Sequence, residues 1–225
     1  MSVRVRYQTL ELRGLDLHVR TLRDRNQYEL DDGTAEACGI SSASWPLFGL
    51  VWDAGIVLAD LMIDHDVDGL RVLEVGCGIG VASLVLNHRT ADITATDHHP
   101  QASRFLQRNA ALNGGPEITF VRTGWQDADT GIGKFDLIIG SDILYEPWHV
   151  EALASFVEQH ADATCEVILI DPGRGHHARF TERMVRHHGY GYEQRPAHQV
   201  EAIAKPFRGQ IMNYTRTEAD AAAVE

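Results

Sequence analysis

The sequence predicts an α/β fold in which a seven-stranded, mostly parallel sheet carries helices on both faces, with a β-hairpin at the N-terminus. Short apolar runs alternate with helical stretches along most of the chain, and strands separated by helices form parallel β-α-β units. Ahead of these units, two segments of alternating apolar and polar residues flank Arg13-Gly14. A chain of 225 residues buries one ample hydrophobic core, which favours a single main domain.

The N-terminal hairpin is the first predicted element. Residues 3–8 and 15–20 each alternate apolar with polar side chains, so each predicts a strand with one buried face. Residues 23–44 are polar and predict a connecting loop. From Val51 to Met62 the apolar positions fall on one side of a helix.

Strands and helices then alternate along the rest of the chain. Strands are predicted at 71–75, 91–97, 117–123, 134–140 and 165–171. Helices are predicted at 80–87, 100–113, 149–159 and 178–187. Two late extended segments, at 192–203 and 210–216, bring the sheet to seven strands. The predicted organisation is a hairpin and loop over 1–44, one domain over 45–217 and a frayed tail over 218–225.

Composition and charge argue against several classes of function. The formal net charge is −12, which disfavours nucleic-acid binding because phosphate backbones need clustered Lys and Arg. The same charge is compatible with a basic protein partner, although solubility explains it equally well. No apolar run approaches the roughly 20 residues of a membrane span, and the N-terminus shows no signal-peptide pattern. Three cysteines without CxxC spacing predict reduced thiols and a cytoplasmic protein.

A glycine-rich loop follows the strand at 71–75. In LEVGCGIG the glycines 76, 78 and 80 permit a sharp turn and a close approach of backbone to ligand. Val81 stands where the dinucleotide fingerprint GxGxxG requires glycine. Glu74 lies two residues before the first glycine, where a carboxylate favours a cationic ligand over a pyrophosphate. Cys77 is predicted at this cofactor site, with a small buried filler as the alternative.

A second carboxylate, Asp97, ends the next strand at the position of a ribose-binding acid. A ligand with a ribose, a positive charge and no phosphate is S-adenosylmethionine. Here the chain resembles the class I, Rossmann-like seven-stranded methyltransferases: VLEVGCGIG is similar to their first motif and TATD to their acidic second motif. His98 is predicted to touch the adenosine edge or to lie in a solvated loop. A nucleotide-binding Rossmann domain remains the alternative.

The segment SDILYEPW follows the strand at 134–140 and contains a DxxY pattern. Together with Trp52 before the glycine loop and Trp125 after the third strand, it resembles the seven-stranded protein-lysine methyltransferases, including those of the electron-transfer-flavoprotein β subunit. The resemblance implies that Trp52, Trp125 and Ser141 line the cofactor. DPGR, at 171–174, is similar to a stretch of the flavoprotein-directed members, although Asp-Pro-Gly is also a generic turn.

The DxxY residues Asp142 and Tyr145 are the predicted catalytic pair. A lysine ammonium must lose a proton before it accepts a methyl group, and a neighbouring sulfonium and an apolar channel both favour that loss. Asp142 is predicted to capture and aim the ammonium and to be able to accept a proton from it as the sulfonium approaches. Tyr145 is predicted to form a wall of the channel and to hydrogen-bond the lysine nitrogen or the cofactor's carboxylate. The alternatives are a helix cap for Asp142 and core packing for Tyr145.

The predicted function is therefore transfer of a methyl group from S-adenosylmethionine to a protein lysine, leaving S-adenosylhomocysteine. A small-molecule N- or O-methyltransferase and a non-catalytic cofactor-binding protein remain alternatives. The twelve histidines include three pairs, but neither HExxH nor CxxC occurs, so no metal site is predicted.

Overall fold

The computed structural model of the protein describes residues 3–27, 34–128 and 130–222. The strands are β1 Val5–Leu12, β2 Leu15–Leu22, β3 Arg71–Val75, β4 Asp92–Asp97, β5 Thr119–Arg122, β6 Phe135–Ser141, β7 Ala161–Asp171, β8 Gly191–Pro196 and β9 Gln210–Arg216. The helices are α1 Thr34–Ala37, α2 Asp53–Asp64, α3 Val81–His88, α4 Ala102–Leu112, α5 His149–His160, α6 His177–His188 and α7 Glu218–Ala222, with a 3-10 turn at Trp45–Gly49.

The main sheet has seven strands in the order β5-β4-β3-β6-β7-β9-β8, and the five strands from β5 to β7 are parallel. β9 runs antiparallel to both β7 and β8. Four consecutive residues of β3, Val72 to Val75, are buried, as expected for a central strand covered on both faces by helices. The predicted seven-stranded, mostly parallel sheet is confirmed.

The N-terminal hairpin forms a separate two-stranded sheet, in register from the pair Val5 and Leu22 to the pair Leu12 and Leu15. Arg13 and Gly14 have φ values of +46° and +85°, which suits a two-residue turn that follows the natural twist of the strands. The predicted hairpin is confirmed, and its apolar face packs into the main hydrophobic core.

Three segments differ from the prediction. Within the expected loop at 23–44, Thr34–Ala37 forms the short helix α1, and residues 28–33 lie outside the described part. The expected strand at 192–203 ends at Pro196, and one further backbone hydrogen bond, from the Ala197 N–H to the Gly209 carbonyl at 2.9 Å, follows its pairing with Gln210.

The tail also differs, since α7 occupies Glu218–Ala222 where a frayed end was predicted. Thr217 and Asp220 form a reciprocal helix cap: the Asp220 carboxylate accepts hydrogen bonds from the Thr217 N–H at 3.0 Å and hydroxyl at 2.6 Å. This local capping signal outweighs the polar composition. The last three residues, 223–225, lie outside the described part.

The segment Trp45–Asp64 is long and apolar enough to cross a membrane by length and composition, contrary to the expectation that no run approaches that length. In the fold it is divided into the 3-10 turn and α2, and 61% of its apolar window is buried. Burial of this extent is also what a core helix of a compact domain requires.

Candidate functional site

A cavity of about 1060 Å³ opens at the carboxyl ends of β3, β4 and β6, the edge of a parallel sheet at which ligands bind. Its wall contains all but one of the predicted site residues. These are Trp52, Glu74, Gly76, Cys77, Gly78, Asp97, His98, Trp125, Ser141, Asp142 and Tyr145. The exception, Gly80, does not line the cavity.

The glycine loop has the backbone geometry that only glycine adopts easily. Gly76, Gly78 and Gly80 have φ values of +62°, +58° and +74°. A Cβ on Gly78 would lie 2.7 Å from the Phe48 carbonyl oxygen. A Cβ on Gly80, which occupies the N-cap position of α3, would collide with Leu106. Gly80 therefore allows close helix packing, and its predicted contact with the cofactor stays a prediction.

Glu74 is a buried carboxylate in the cavity wall, 4% exposed. Its Oε2 accepts hydrogen bonds from the Ser83 N–H at 2.8 Å and from the Ser83 hydroxyl. The pKa of Glu74 is raised to about 7. Burial is the main cause and nearby Asp97 adds to the rise, whereas the two hydrogen bonds from Ser83 oppose it. A cation in the cavity would restore ionisation, so the site fits a ligand with a positive charge.

Asp97 ends β4 beside the glycine loop. Its Oδ2 accepts the Gly78 N–H and its Oδ1 the His99 N–H, each at 2.7 Å. Burial raises the pKa of Asp97, although these backbone bonds oppose the change. Each carboxylate oxygen has a second lone pair, so both can accept hydrogen bonds from ribose hydroxyls.

The histidines after Asp97 serve different purposes. The His98 ring nitrogen Nε2 donates to the Cys38 carbonyl at 2.6 Å, which ties the loop before the 3-10 turn to the cavity rim. His99 is buried and stacks on Phe48 with ring centroids 3.7 Å apart. Burial lowers the pKa of His99 to about 3, so this ring is neutral. The sequence offered no signal that separates His99 from the other paired histidines.

The tryptophans and small residues complete the cofactor side of the cavity. The Trp52 indole N–H donates to the Leu47 carbonyl at 2.9 Å, and the Arg25 guanidinium lies 4.7 Å above its ring. Cys77 is 8% exposed, and burial raises the pKa of its thiol well above the usual range. Cys77 was predicted at the cofactor site, with a small buried filler as the alternative. Its small, unreactive side chain is buried and also lines the cavity.

Asp142 forms an ion pair that the sequence did not reveal. Arg174 donates from Nε to Oδ1 at 2.8 Å and from a terminal nitrogen to Oδ2 at 2.7 Å. The Asp171 carboxylate accepts the Gly173 N–H at 3.0 Å, so DPGR is an Asx turn that presents Arg174. No partner was predicted for Asp142 from the sequence, and the resemblance of DPGR was the available signal for Arg174.

The backbone of Asp142 is also unusual, with φ of +51°. Its N–H donates to the Ile170 carbonyl at 2.9 Å, which anchors the turn after β6 to the neighbouring strand. The helix-cap alternative for Asp142 is wrong, because α5 begins at His149 with Trp148 at its N-cap position.

An aromatic cluster borders the same turn. Tyr145 and Trp148 are 43% and 53% exposed, and their rings lie 4.4 Å and 4.2 Å from the His149 imidazole, both nearly perpendicular to it. Trp125 makes a similar contact at 5.0 Å. Removal from water, with nearby acidic groups, raises the pKa of Tyr145 to about 12. Because Tyr145 is 43% exposed, the core-packing alternative for this residue is wrong. Trp148 and His149 were not predicted as site residues from the sequence.

A family model of lysine methyltransferases matches residues 43–185. The chain belongs to the lysine methyltransferase family. It is 33% identical to protein N-lysine methyltransferase METTL21A of Danio rerio over 57% of this chain and 63% of that one. It is 28% identical to the electron transfer flavoprotein beta subunit lysine methyltransferase of Xenopus laevis, over 64% and 58% respectively. The chain thus spans about three-fifths of these relatives.

The fold of this chain is also found in a solved structure of magnesium protoporphyrin IX methyltransferase from Synechocystis with bound S-adenosylmethionine. The TM-score is 0.56 at 22% identity, over 72% of this chain and 76% of that one. That similarity concerns the fold.

The residues that line the cavity fit S-adenosylmethionine, the cofactor expected of a lysine methyltransferase family member. Glu74 would supply negative charge for its ammonium, the loop at 76–78 would allow close backbone approach, and Asp97 would accept hydrogen bonds from its ribose. Within 3–27, 34–128 and 130–222, no group of three His, Cys, Asp or Glu side chains is arranged to hold a metal ion.

Proposed function

We propose that this protein transfers a methyl group from S-adenosylmethionine to a lysine side chain of a protein substrate. The observation that carries the proposal is the turn after β6, which brings Asp142, Tyr145 and the exposed Trp148 to the cavity that fits the cofactor. An exposed aromatic pair beside a deep cavity suits a long side chain presented from another protein. The names of the two relatives, both acting on protein lysines, support the same substrate class.

Lysine presents one main obstacle. Its usual pKa near 10.4 means that the neutral amine at pH 7 costs about 4–5 kcal/mol. The aromatic rings of Tyr145, Trp148 and Trp125 line the cavity, and the apolar surface that they offer a bound lysine side chain favours its neutral form. The cofactor supplies an electrophilic methyl group on a positively charged sulfur. The residues around it therefore have to orient the amine and withhold solvent.

The ion pair of Asp142 and Arg174 modifies the role expected for Asp142. A free carboxylate would hold the lysine as an ammonium, whereas a paired one offers a nearly neutral polar surface. The pair still accepts a hydrogen bond from an incoming amine through its remaining lone pairs. We therefore assign Asp142 to positioning of the amine.

The test is incubation of the purified protein with methyl-labelled cofactor and a cell lysate, followed by mass spectrometry of labelled proteins. We expect the wild-type protein to place label on lysine residues. Asp142→Asn should place less label, and its cofactor binding, measured by calorimetry, should be retained. Asparagine is preferable to alanine because it tolerates the left-handed backbone of this position. Label confined to small metabolites would instead identify a small-molecule methyltransferase, and normal cofactor binding with no label would favour a non-catalytic protein.

We further propose a basic region on the protein substrate, supported by the net charge of −12. A reducing compartment such as the cytoplasm is also proposed. It is supported by the three cysteines, all of which are free.

A further inference from the structure

His149 occupies a position that the function described so far does not use. It is the first residue of α5, is 3% exposed and lines the cavity. Because a cavity-lining side chain is otherwise enclosed, its small accessible part faces the cavity. Three aromatic rings, those of Trp125, Tyr145 and Trp148, surround it at 4.2–5.0 Å between centroids.

The hydrogen bonding of His149 determines which ring nitrogen carries the proton. Nδ1 lies 2.7 Å from the Ile143 carbonyl oxygen, which can only accept, so Nδ1 is the protonated nitrogen of the neutral ring. Nε2 then holds a lone pair. Across the described ranges, no side chain or backbone group donates a hydrogen bond to Nε2.

We propose that His149 is the proton acceptor that converts the substrate lysine ammonium to the neutral amine. The inference rests on the proposed lysine methylation. It is carried by an anchored imidazole that lines the cavity, with its ring centroid 4.4 Å from that of Tyr145. The Ile143 carbonyl stabilises the imidazolium that forms, because Nδ1–H donates to it more strongly when the ring is charged.

The proton and charge balance is simple. The lysine ammonium gives one proton to Nε2 of His149, and its N–H bond electrons remain on nitrogen. The amine nitrogen then forms a bond to the methyl carbon as the carbon–sulfur bond breaks, and that electron pair stays on sulfur. His149 afterwards releases its proton to solvent, so the net products are methyl-lysine ammonium, S-adenosylhomocysteine and one proton.

The groups around His149 suit this role at neutral pH. Burial lowers the pKa of His149, the hydrogen bond to the Ile143 carbonyl and the nearby Glu146 raise it, and His176 ahead of α6 lowers it. From α6 itself, Arg183 is already paired with Glu151 at 3.1 Å. The ring is therefore neutral and ready to accept a proton at pH 7, and it returns that proton readily.

The first test compares His149→Phe with the matched control His187→Phe, an exposed histidine of α6. Acid-precipitable label from a fixed lysate is measured from pH 6.5 to pH 10. We expect His149→Phe to lose about 100-fold in methyl-transfer activity at pH 7. The loss should narrow to within about threefold at pH 10, where the substrate lysine loses its proton unaided. A pH-independent defect, or none, would overturn the proposal. In His149→Ala, added imidazole should restore part of the activity.

A second test does not depend on turnover. Nitrogen-15 NMR of histidine-labelled protein reports the tautomer of each ring, with His149→Phe used to assign its signals. We expect His149 at pH 7 with a protonated Nδ1 and an unprotonated Nε2. A protonated Nε2 would exclude His149 as an acceptor whatever the substrate is. If the wild-type protein labels no lysine while this tautomer is present, it is the proposed function that fails.

Discussion

Glu74 shows how burial makes a single carboxylate depend on its ligand. An unperturbed glutamate has a pKa of 4.5, and burial raises that of Glu74 to about 7 in the folded protein. The folded protein therefore binds an extra proton between these values. The stability linked to protonated Glu74 is complete below about pH 4.5 and is lost as the pH rises through about 7.

Replacing Glu74 by glutamine should remove this pH dependence. At 1.36 kcal/mol per pKa unit, ionised Glu74 lowers the stability of the cofactor-free protein by about 3 kcal/mol at alkaline pH. Urea unfolding from pH 5 to pH 8 should show a falling stability in the wild type and a flatter profile in Glu74→Gln. Glu117→Gln, at an exposed position, is the control and should keep the wild-type slope. Equal slopes in wild type and Glu74→Gln would refute this account.

Arg174 is the residue through which Asp142 is oriented. Replacement by lysine keeps the positive charge but loses the paired, parallel hydrogen bonds of the guanidinium. We expect Arg174→Lys to lower kcat for methyl transfer by up to about tenfold with unchanged cofactor affinity. Arg179→Lys, on the exposed surface of α6, should leave both quantities unchanged. Wild-type kcat in Arg174→Lys would show that the pair has no positioning role.

At the scale of elements, two asparagines tie the hairpin to the main domain in addition to its apolar contacts, Asn109 within α4 and Asn113 directly after it. Asn109 exchanges hydrogen bonds with the backbone of Arg20, with distances of 2.7 and 3.3 Å, and also donates to the Ile79 carbonyl in the glycine loop. Asn113 exchanges two hydrogen bonds of 2.8 Å with His18. Each amide thus completes the open edge of β2 as a neighbouring strand would.

The two asparagines form a natural matched pair for mutation. Asn109 is fully buried, whereas the bonds of Asn113 are exposed to solvent. Asn109→Ala leaves buried backbone groups without partners, so it should lower the free energy of unfolding by about 2–3 kcal/mol. Asn113→Ala should lower it by less than about 1 kcal/mol. Urea unfolding measures both. Asn109→Ala should also weaken cofactor binding through Ile79, and equal losses in the two variants would contradict the argument.

At the scale of the whole molecule, charge is expected to guide the substrate. With a net charge of −12, association with a basic protein should weaken as salt screens the field, since the screening length is about 10 Å at 0.1 M. We expect the KM for a lysine-rich basic protein to rise several-fold between about 0.05 M and 0.3 M NaCl, with kcat unchanged. The KM for the cofactor, measured in parallel, is the control. A salt-independent protein KM would argue against a basic docking region.

Much of the fold and half of the site followed from local sequence. The apolar strands β3, β4 and β6 were predicted because residues buried on both faces of a sheet leave a continuous apolar run. Glu74, the glycines and Asp97 were predicted because they lie at the ends of those strands, where short-range spacing suffices. The capping residues Thr217 and Asp220 are an equally local signal, but the prediction of a frayed tail gave more weight to the polar composition around them.

The remaining features were decided by contacts between distant parts of the chain. Arg174 reaches Asp142 across 32 positions, and Asn109 reaches Arg20 across 89. Trp125, after β5, contacts His149 at the start of α5, although β4 and β3 separate β5 from β6 in the sheet. By itself the sequence determined the sheet, the cofactor loop and the DxxY pair, because periodicity and spacing are local properties. Tertiary structure alone decided that Asp142 is ion-paired and that His149 lines the channel, because both depend on long-range packing.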